Sequence, residues 1–320
     1  MLKKLFLFIL SGLMNLLIII IISAMFYLNM PIDSKGTIEI PKGSVTKIIS
    51  YLIDKGYNLS IIDRYILLAL GTPKSGWINI PKGKMNRVEF LTYLTNAKYS
   101  IDKVQLIPGE TLYIFFNNIA KEFNLDSEKL WSNYNRVSPY KEGGIYPDTY
   151  HIPKGIKEKN LIEFLVRESN KKYRKIYSQY TKRDDFNATA FNRILTIASI
   201  IQKEAGNNQE MPIVASVIYN RISKGMPLQM DGTLNYGKYS HIKITPKRIK
   251  EDNTTFNTYR HKGIPNYPVA STSIEAIKSA INPSVTTYLY FMKNSKGGHN
   301  FATSYKNHRS NIKKSRIGEI

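Results

Sequence analysis

Apolar positions form one long uninterrupted block near the start of the chain. Residues 5–28 contain no charged side chain, and as a helix this block could cross the roughly 30 Å hydrocarbon layer of a membrane. The alternative is a cleaved signal peptide, whose apolar stretch is normally only about 7–15 residues long. We therefore predict that residues 1–30 form a short cytosolic stub and one transmembrane helix.

Basic residues on either side of this block predict its orientation. Lys3 and Lys4 precede the apolar run, whereas the short segment 29–33 contains no base. Because positively charged flanks stay in the cytosol, the N-terminus is predicted to be cytosolic. Everything after residue 30 then lies on the extracytoplasmic side of the membrane.

After the apolar block, four segments alternate apolar and polar residues as a strand does, and each ends at a proline and a glycine. The four segments are IEIPKG (38–43), INIPKG (78–83), VQLIPG (104–109) and YHIPKG (150–155). Each leads into a helix-like run, which predicts small strand–turn–helix units. The first two match best, and residues 31–102 are predicted to form a compact α/β module.

The remaining residues, 103–320, show mainly helical spacing of apolar positions. Helices are predicted over 111–123 and 160–180, with a turn-rich aromatic loop at 143–155 between them. Together with the strand-like segments, this pattern predicts an α+β fold.

Local signals delimit three further helices. The first would be capped by Asn187 or Thr189 and would end at a left-handed Gly206. The second runs from about Pro212 to Gly225. The third starts at a capping box, TSIE (272–275), and stops at Asn282, before Pro283.

Two segments near the C-terminus complete the predicted elements. The apolar run TYLYFM (287–292) is typical of a buried strand, and KGGHNFATSY (296–305) is predicted to be a glycine-hinged loop. The loop would place His299 on a flexible stretch just after two glycines.

An acid continues the apolar stripe of the helix that begins near residue 187. Ile197, Ile201 and Glu204 lie at i, i+4 and i+7, so they share one helix face. A buried carboxyl has a raised pKa and can hold a proton near neutral pH. Glu204 is therefore a candidate general acid for glycosidic cleavage, and a helix-end charge paired with a lysine is the alternative.

Most glycosidases use a second carboxylate, and Asp231 is the candidate. An Asp-Gly turn accounts for this residue equally well. Amide and aromatic side chains of the kind that bind sugars lie nearby in sequence. They are Gln229, Asn235, Tyr236, Asn257 and Tyr259. Residue types alone do not choose among them.

Charge and composition exclude several classes of function. The chain has no cysteine, a net charge of +22 and 42% hydrophobic residues. A net positive charge of this size suggests nucleic acid as a partner, but an outward-facing domain argues against it. Anionic envelope polymers or lipid headgroups are the better candidates, and a merely solvated lysine-rich surface is the alternative. Nucleotide-binding, zinc-protease and serine-hydrolase motifs do not occur, and the five histidines lack ligand spacing, so we predict no cofactor and no metal.

Several long motifs resemble one known family in their order along the chain. They are ASIIQKEAGN (198–207), MPIVASVIYNRISKGMPLQMDGTLNYG (211–237), the segment 256–308 and YPDTY (146–150). These motifs resemble the endolytic murein transglycosylases, also called YceG-like proteins, and the likeness covers roughly residues 104–308.

The resemblance implies an architecture and a reaction. The fold would comprise the membrane anchor, a LysM-like α/β subdomain at 31–102 that contacts glycan, and a mixed α/β catalytic domain at 103–320. The reaction would cut the β-1,4 bond between N-acetylmuramic acid and N-acetylglucosamine inside peptidoglycan and close a 1,6-anhydro ring. The protein would sit in the inner (plasma) membrane and act on nascent glycan strands beside peptidoglycan synthases.

One position departs from the family's E-K-E pattern. Gln202 replaces the first acid, so the resemblance assigns catalysis to Glu204 alone, first as acid and then as base. The substrate-binding residues that we predict are Asn220, Gln229, Asp231, Tyr236, Asn257, Tyr259, His299 and Phe301.

Two alternative functions stay open from the sequence. One is a hydrolytic muramidase in which Asp231 assists Glu204 in adding water. The other is a non-catalytic scaffold that binds peptidoglycan and recruits cell-wall synthases, an interpretation prompted by Gln202 and the basic surface.

Overall fold

The computed structural model describes residues 2–96, 101–153 and 155–316. The chain divides into two compact units, one made of Met1–Lys103 with His151–Ile156 and the other of Val104–Tyr150 with Lys157–Ile320. Both units contain helices and strands, so the predicted mixture of helix and strand is confirmed.

The first unit begins with a long apolar helix, α1 (Leu2–Asn29). An 18-residue window of its segment Phe6–Asn29 has a mean hydropathy of 2.7, and no residue of that window is buried. By length and composition this helix could cross a membrane, as the sequence predicts.

Four short strands and three helices follow α1 in the first unit. They are β1 (Pro31–Ser34), β2 (Ile38–Ile40), α2 (Val45–Asp54), α3 (Asp63–Leu70), β3 (Gly76–Ile78), β4 (Gly83–Asn86) and α4 (Arg87–Asn96). β1 pairs antiparallel with β4, and β2 pairs antiparallel with β3. The two best-matching segments, 38–43 and 78–83, therefore contribute strands that pair with each other, and Ile38 lies opposite Ile78 in the core.

The remaining elements are mostly helical. They are β5 (Ile101–Gln105), α5 (Leu112–Phe123), α6 (Ser127–Val137), β6 (Thr149–Pro153), α7 (Glu158–Thr181), α8 (Ala188–Glu204), α9 (Met211–Ser223), α10 (Pro246–Glu251), α11 (Ile274–Ile281), β7 (Tyr290–Lys293), β8 (His299–Ala302) and α12 (Tyr305–Arg316). β5 pairs with β6, and β7 pairs with β8. The five predicted helices are confirmed as α5, α7, α8, α9 and α11, whereas α6, α10 and α12 were not predicted.

The strand–turn–helix units are confirmed with one exception. β2, β5 and β6 each lead through their Pro-Gly turn into a helix, as predicted. The second segment differs because β3 is followed first by β4, which pairs with β1 before α4 begins.

Helix α8 lies in the middle of the second unit and packs against α9 and α11. Its buried side chains include Leu195, Ile197 and Ile201, which belong to the main apolar cluster of this unit. Of the two predicted caps, Asn187 is the one used, since its side-chain oxygen accepts a hydrogen bond from the Ala190 amide at 3.0 Å.

The predicted end of α8 at a left-handed Gly206 is wrong. The helix ends at Glu204, and Ala205 adopts an extended conformation. Gly206 serves close packing instead, because a Cβ there would lie 2.7 Å from the Gly297 carbonyl oxygen. The absence of a side chain, rather than a positive φ, makes this position a glycine.

The C-terminal strand and loop predictions also need correction. The strand β7 covers only part of 287–292 and is half-buried, because β8 is its only partner among the described residues. The predicted glycine-hinged loop contains β8, and Gly297, with a φ of 84°, lies in the turn between the two strands. His299 therefore lies on a strand rather than on a flexible loop.

Candidate active site

Glu204 is the last residue of α8, and its carboxylate faces a turn of the chain between α9 and α10. The Gly232 amide donates a hydrogen bond to Glu204 Oε1 at 2.6 Å. Gly232 belongs to a 3-10 turn, Asp231–Leu234, and must approach closely, since a Cβ there would lie 2.8 Å from Oε1. No lysine pairs with Glu204 among the described ion pairs, so the helix-end alternative does not apply.

Burial raises the pKa of Glu204 to about 7, the hydrogen bond from Gly232 opposes the rise, and the charge of Asp231 adds to it. The C-terminal end of a helix carries partial negative charge, which also disfavours a carboxylate at this position. Glu204 can therefore hold a proton near neutral pH, as a general acid must.

A pocket of about 290 Å³ opens beside Glu204. Five of the predicted site residues line it together, namely Glu204, Gln229, Asp231, Tyr259 and His299. They come from the end of α8, the 228–231 segment, the loop after α10 and strand β8, so the fold gathers residues far apart in sequence.

Asp231 and Tyr259 form a direct pair at the rim of the pocket. The Tyr259 hydroxyl donates to Asp231 Oδ1 at 2.7 Å. Burial and this hydrogen bond raise the pKa of Tyr259 well above its usual range, so the phenol stays protonated as a donor. The pair fixes the position of a negative charge close to Glu204 without neutralising it.

His299 is oriented by an acid on its far side. Glu210 accepts hydrogen bonds from the His299 backbone amide at 2.7 Å and lies 2.8 Å from its Nδ1. Burial opposes ionisation of Glu210, but the contacts with His299 hold the pKa of Glu210 below its usual range. A carboxylate at Nδ1 leaves Nε2 of His299 as the ring atom free to meet a ligand.

The other predicted binding residues do not line this pocket. The Asn257 side chain is fully buried and donates to the Ile249 and Asp252 carbonyl oxygens, both at 2.7 Å. Asn220 donates to two backbone carbonyls near β7 at 2.9 Å. Both amides donate to backbone carbonyl oxygens away from this pocket, so the substrate-binding role of these two residues stays a prediction.

The two aromatic residues also lie elsewhere. Tyr236 stacks on Phe256 with ring centroids 4.2 Å apart, and its hydroxyl donates to Asp252. Phe301 packs against Tyr288 beside the main apolar cluster. Aromatic rings predict contact with sugars only when they are exposed, and the sequence could not tell packed rings from exposed ones.

Gln202 and Lys203 point away from Glu204, as their helical positions predict. Gln202 Oε1 accepts a hydrogen bond from the Ser273 amide at 3.0 Å, next to the start of α11. Lys203 donates to Ser240 at 3.1 Å. Gln202 therefore contacts the start of α11 and does not line the pocket, so a glutamine at this position does not change the charge of the pocket wall.

Arg221 was missed by the sequence analysis although it lines the pocket. It is 7% exposed, and its guanidinium donates to backbone oxygens of Leu289 and Leu228. Among the described ion pairs none involves Arg221. The signal was present, because Arg221 lies seven residues after the buried Val214 on the same helix face, as Glu204 does after Ile197.

Comparison with known proteins shows which family the chain belongs to. The sequence profile of the YceG-like family matches residues 38–314, which is most of the chain. The chain belongs to the YceG-like family. The resemblance drawn from the sequence motifs is thereby confirmed, and the pocket beside Glu204 lies within the matched region.

Curated relatives of this YceG-like chain carry a functional name. A protein of Bacillus subtilis (strain 168) named endolytic murein transglycosylase is 29% identical over 259 residues, which cover 81% of this chain and 70% of that protein. A protein of the same name from Streptococcus pneumoniae serotype 2 (strain D39 / NCTC 7466) is 31% identical over 177 residues. That match covers 53% of this chain and only 31% of the Streptococcus protein.

A solved structure shares the fold of this YceG-like chain. It is the crystal structure of a YceG-like protein from Listeria monocytogenes, with a TM-score of 0.55 and 25% identity. The match covers 88% of this chain and 99% of the Listeria chain.

Proposed function

We propose that this chain is a membrane-anchored lytic transglycosylase that cuts peptidoglycan strands internally, with Glu204 as its single catalytic acid and base. The enzyme class is supported by the relatives named endolytic murein transglycosylase. The observation that carries the catalytic assignment is a half-buried glutamate that lines a pocket and whose carboxyl has a pKa of about 7.

The first half of the proposed reaction uses Glu204 as an acid. Its proton passes to the oxygen between N-acetylmuramic acid and N-acetylglucosamine while the bond from that oxygen to the muramic C1 breaks. The Gly232 amide holds Oε1 in place, which leaves Oε2 to carry the proton. The leaving sugar departs with a neutral hydroxyl.

In the second half, Glu204 acts as a base. The muramic acid C6 hydroxyl attacks C1, and its proton returns to the Glu204 carboxylate, so the enzyme is regenerated and no water is consumed. An intramolecular nucleophile has a high effective concentration, which removes the need for a second carboxylate to activate water. This explains how one acid suffices although Gln202 occupies the other acidic position of the family pattern.

The flanking groups have supporting roles in this proposal. The Asp231 charge keeps Glu204 protonated until the bond is broken, and Tyr259 fixes that charge in place. His299 presents Nε2 to the sugar, while Arg221 and Lys293 add positive charge to the pocket wall.

The membrane anchor is part of the same proposal. The apolar length of α1 supports a single span, and Lys3 and Lys4 support a cytosolic N-terminus, with the catalytic unit outside the plasma (inner) membrane. That the module at 31–102 is LysM-like and contacts glycan, and that synthases are partners, remain predictions from the resemblance.

The decisive test replaces Glu204 by glutamine in the full chain. The variant should fold normally but lose at least about 10²–10⁴-fold in the rate of anhydro-muropeptide release from purified sacculi, since the proton donor is gone. Glu251→Gln makes the same chemical change at an exposed position and should retain full activity. Unchanged product release by Glu204→Gln would overturn the assignment.

A second substitution tests the departure from the family pattern. Gln202→Glu restores the acid but points it at the Ser273 amide, so its activity should equal that of the parent chain. The double variant Gln202→Glu, Glu204→Gln should be inactive. Recovery of activity in the double variant would transfer the catalytic role to position 202.

Hydrolysis by a muramidase is the second candidate, because Asp231 lines the same pocket as Glu204. In that reaction Asp231 would activate a water molecule, and the product would be heavier than the anhydro product by one water. Mass spectrometry of the released fragments separates the two reactions. The Asp231–Tyr259 hydrogen bond favours a positioning role for Asp231 over a nucleophilic one.

A further inference from the structure

Helix α3 and the turn before it expose apolar side chains to solvent. Ile61, Ile62, Tyr65 and Leu68 are 48%, 56%, 60% and 60% exposed, and we call these four residues the α3 patch. Ile61, Tyr65 and Leu68 follow the spacing i, i+4 and i+7, so they lie along one side. The surface face of a helix in a soluble domain is normally polar.

Few charged groups accompany the apolar side chains of this segment. Its two charged residues are Asp63, which is fully buried, and Arg64, which is half-buried with its guanidinium 4.5 Å from the Tyr65 ring centre. The rest of the first unit outside α1 exposes few large apolar side chains, so the α3 patch concentrates them. Such a patch marks a surface that is covered by something else.

The chain just before the α3 patch is held against the last turn of α1. The Tyr27 hydroxyl lies 2.9 Å from Ser60 Oγ. Arg87 joins the same contact, because it donates to the Tyr27 carbonyl oxygen at 3.2 Å and to the Asn58 carbonyl oxygen at 3.0 Å. Its guanidinium also lies over the Tyr27 ring at 4.1 Å.

These contacts place the α3 patch at one end of the apolar segment Phe6–Asn29. Tyr27 is two residues from that end, where a spanning helix leaves the hydrocarbon and where tyrosine is enriched. Ile61 and Ile62 directly follow Ser60, so the patch begins next to the last turn of α1. Because the patch lies beside the end of a membrane-spanning segment, a lipid surface is the partner that best fits it.

We propose that the α3 patch inserts into the interface of the same membrane that α1 spans, with the isoleucines and Leu68 among the upper acyl chains. Tyr65 and Arg64 match this position, since an aromatic ring with a polar end and an adjacent cation suit the headgroup layer. The first unit would then be fixed to the membrane at two places, the span and the α3 patch. This inference rests on the proposed membrane anchor.

The chain's lack of cysteine provides a direct test. Single cysteines at Ile62→Cys and Leu68→Cys carry an environment-sensitive fluorophore in the full chain, reconstituted in vesicles of phosphatidylcholine and phosphatidylglycerol. Leu16→Cys reports on the middle of α1, and Lys42→Cys reports on an exposed polar position of the same unit. Nitroxide-labelled lipids quench each label, with the nitroxide either near the headgroup or deep in the acyl chain.

We expect the labels at 62 and 68 to lose most of their emission to the shallow nitroxide and less to the deep one. The label at 16 should respond mainly to the deep nitroxide, and the label at 42 to neither. If the labels at 62 and 68 behave like the label at 42 while 16 is quenched, the anchor stands and the inference fails. If 16 is also unquenched, the anchor proposal itself fails.

A second copy of the chain is the competing occupant of the α3 patch. In that case the label at 62 would report an apolar environment but would resist both nitroxides, and its signal would change with the ratio of protein to lipid. This result would overturn the inference. Quenching that is independent of that ratio supports lipid contact.

Discussion

At the scale of single residues, the position of the Glu204 carboxylate depends on a glycine without a side chain. Gly232 donates to Glu204 Oε1, and a Cβ at this position would lie 2.6 Å from Lys203 Cβ and 2.8 Å from Glu204 Oε1. The carboxylate and the turn are therefore packed together as closely as backbone allows. A proton donor displaced by about 1 Å can lose about 10²-fold in rate.

We predict that Gly232→Ala lowers the turnover of peptidoglycan by about 10²-fold while most of the stability is retained. Gly225→Ala is the matched control. Its φ of 63° strains an alanine, but nothing lies within 4 Å of the added Cβ. That variant should cost about 1–2 kcal/mol of stability and keep its turnover. Equal turnover in both variants would contradict the role of Gly232.

The sequence predicted Glu204 and four further residues that line the same pocket, but it also named residues that lie elsewhere. Glu204 could be recognised because a carboxylate on an apolar helix stripe is costly unless it is used. For Asn257 and Tyr236, the residue type alone does not show whether the side chain binds a sugar or contacts other parts of the protein. In the structure Asn257 donates to a backbone carbonyl oxygen and Tyr236 stacks on another ring. The same reasoning applies to Arg221, a charged residue on the buried face of α9, which the sequence could also have indicated as a site residue.

At the scale of elements, a buried ion pair joins two helices of the first unit, α3 and α4. Arg87 begins α4, Asp63 begins α3, and their side chains are 2% and 0% exposed. Two charges in such a site stabilise each other, but removing one leaves the other buried without a partner.

Arg87→Leu should destabilise the first unit by about 3–5 kcal/mol, and the double variant Arg87→Leu, Asp63→Leu should recover much of that loss. Urea unfolding followed by Trp77 fluorescence in a Trp131→Phe background reports on this unit alone. A double variant no more stable than Arg87→Leu would show that the arginine acts through its other contacts, those to Tyr27 and Asn58.

Element prediction succeeded where local signals were strong. Asn187 marked the start of α8, and the Pro-Gly segments marked the strands before α2, α5 and α7. The strand β7 was extended too far because an uncharged apolar run does not show whether it has partners on both sides. β7 contacts α12, and Arg221 of α9 donates to the Leu289 carbonyl oxygen just before β7; a local apolar pattern does not show such tertiary contacts.

At the scale of the whole molecule, two carboxyl groups with raised pKa values link the stability of the second unit to pH. Burial raises the pKa of Glu142 to about 8 and that of Glu204 to about 7. In the unfolded chain both groups release their protons near pH 4.3. The folded state therefore holds more protons between about pH 4.3 and 8, and its stability falls as pH rises through this window.

We predict that the free energy of unfolding of the second unit is lower at pH 9 than at pH 5.5. Trp131 fluorescence in a Trp77→Phe background follows this unit during urea unfolding. Glu142→Gln combined with Glu204→Gln removes both titrating groups and should flatten the dependence on pH. A parent chain more stable at pH 9 would show that one or both acids are ionised in the folded state.

Asn220 donates to two backbone carbonyl oxygens just before β7, and its neighbour Arg221 donates to a third. Phe291, Met292 and Lys293 of β7 form one wall of the pocket. Two consecutive residues of α9 thus determine where that wall stands. Substitution of Asn220 offers a way to retune which glycans the enzyme accepts while every group at the reacting bond stays untouched.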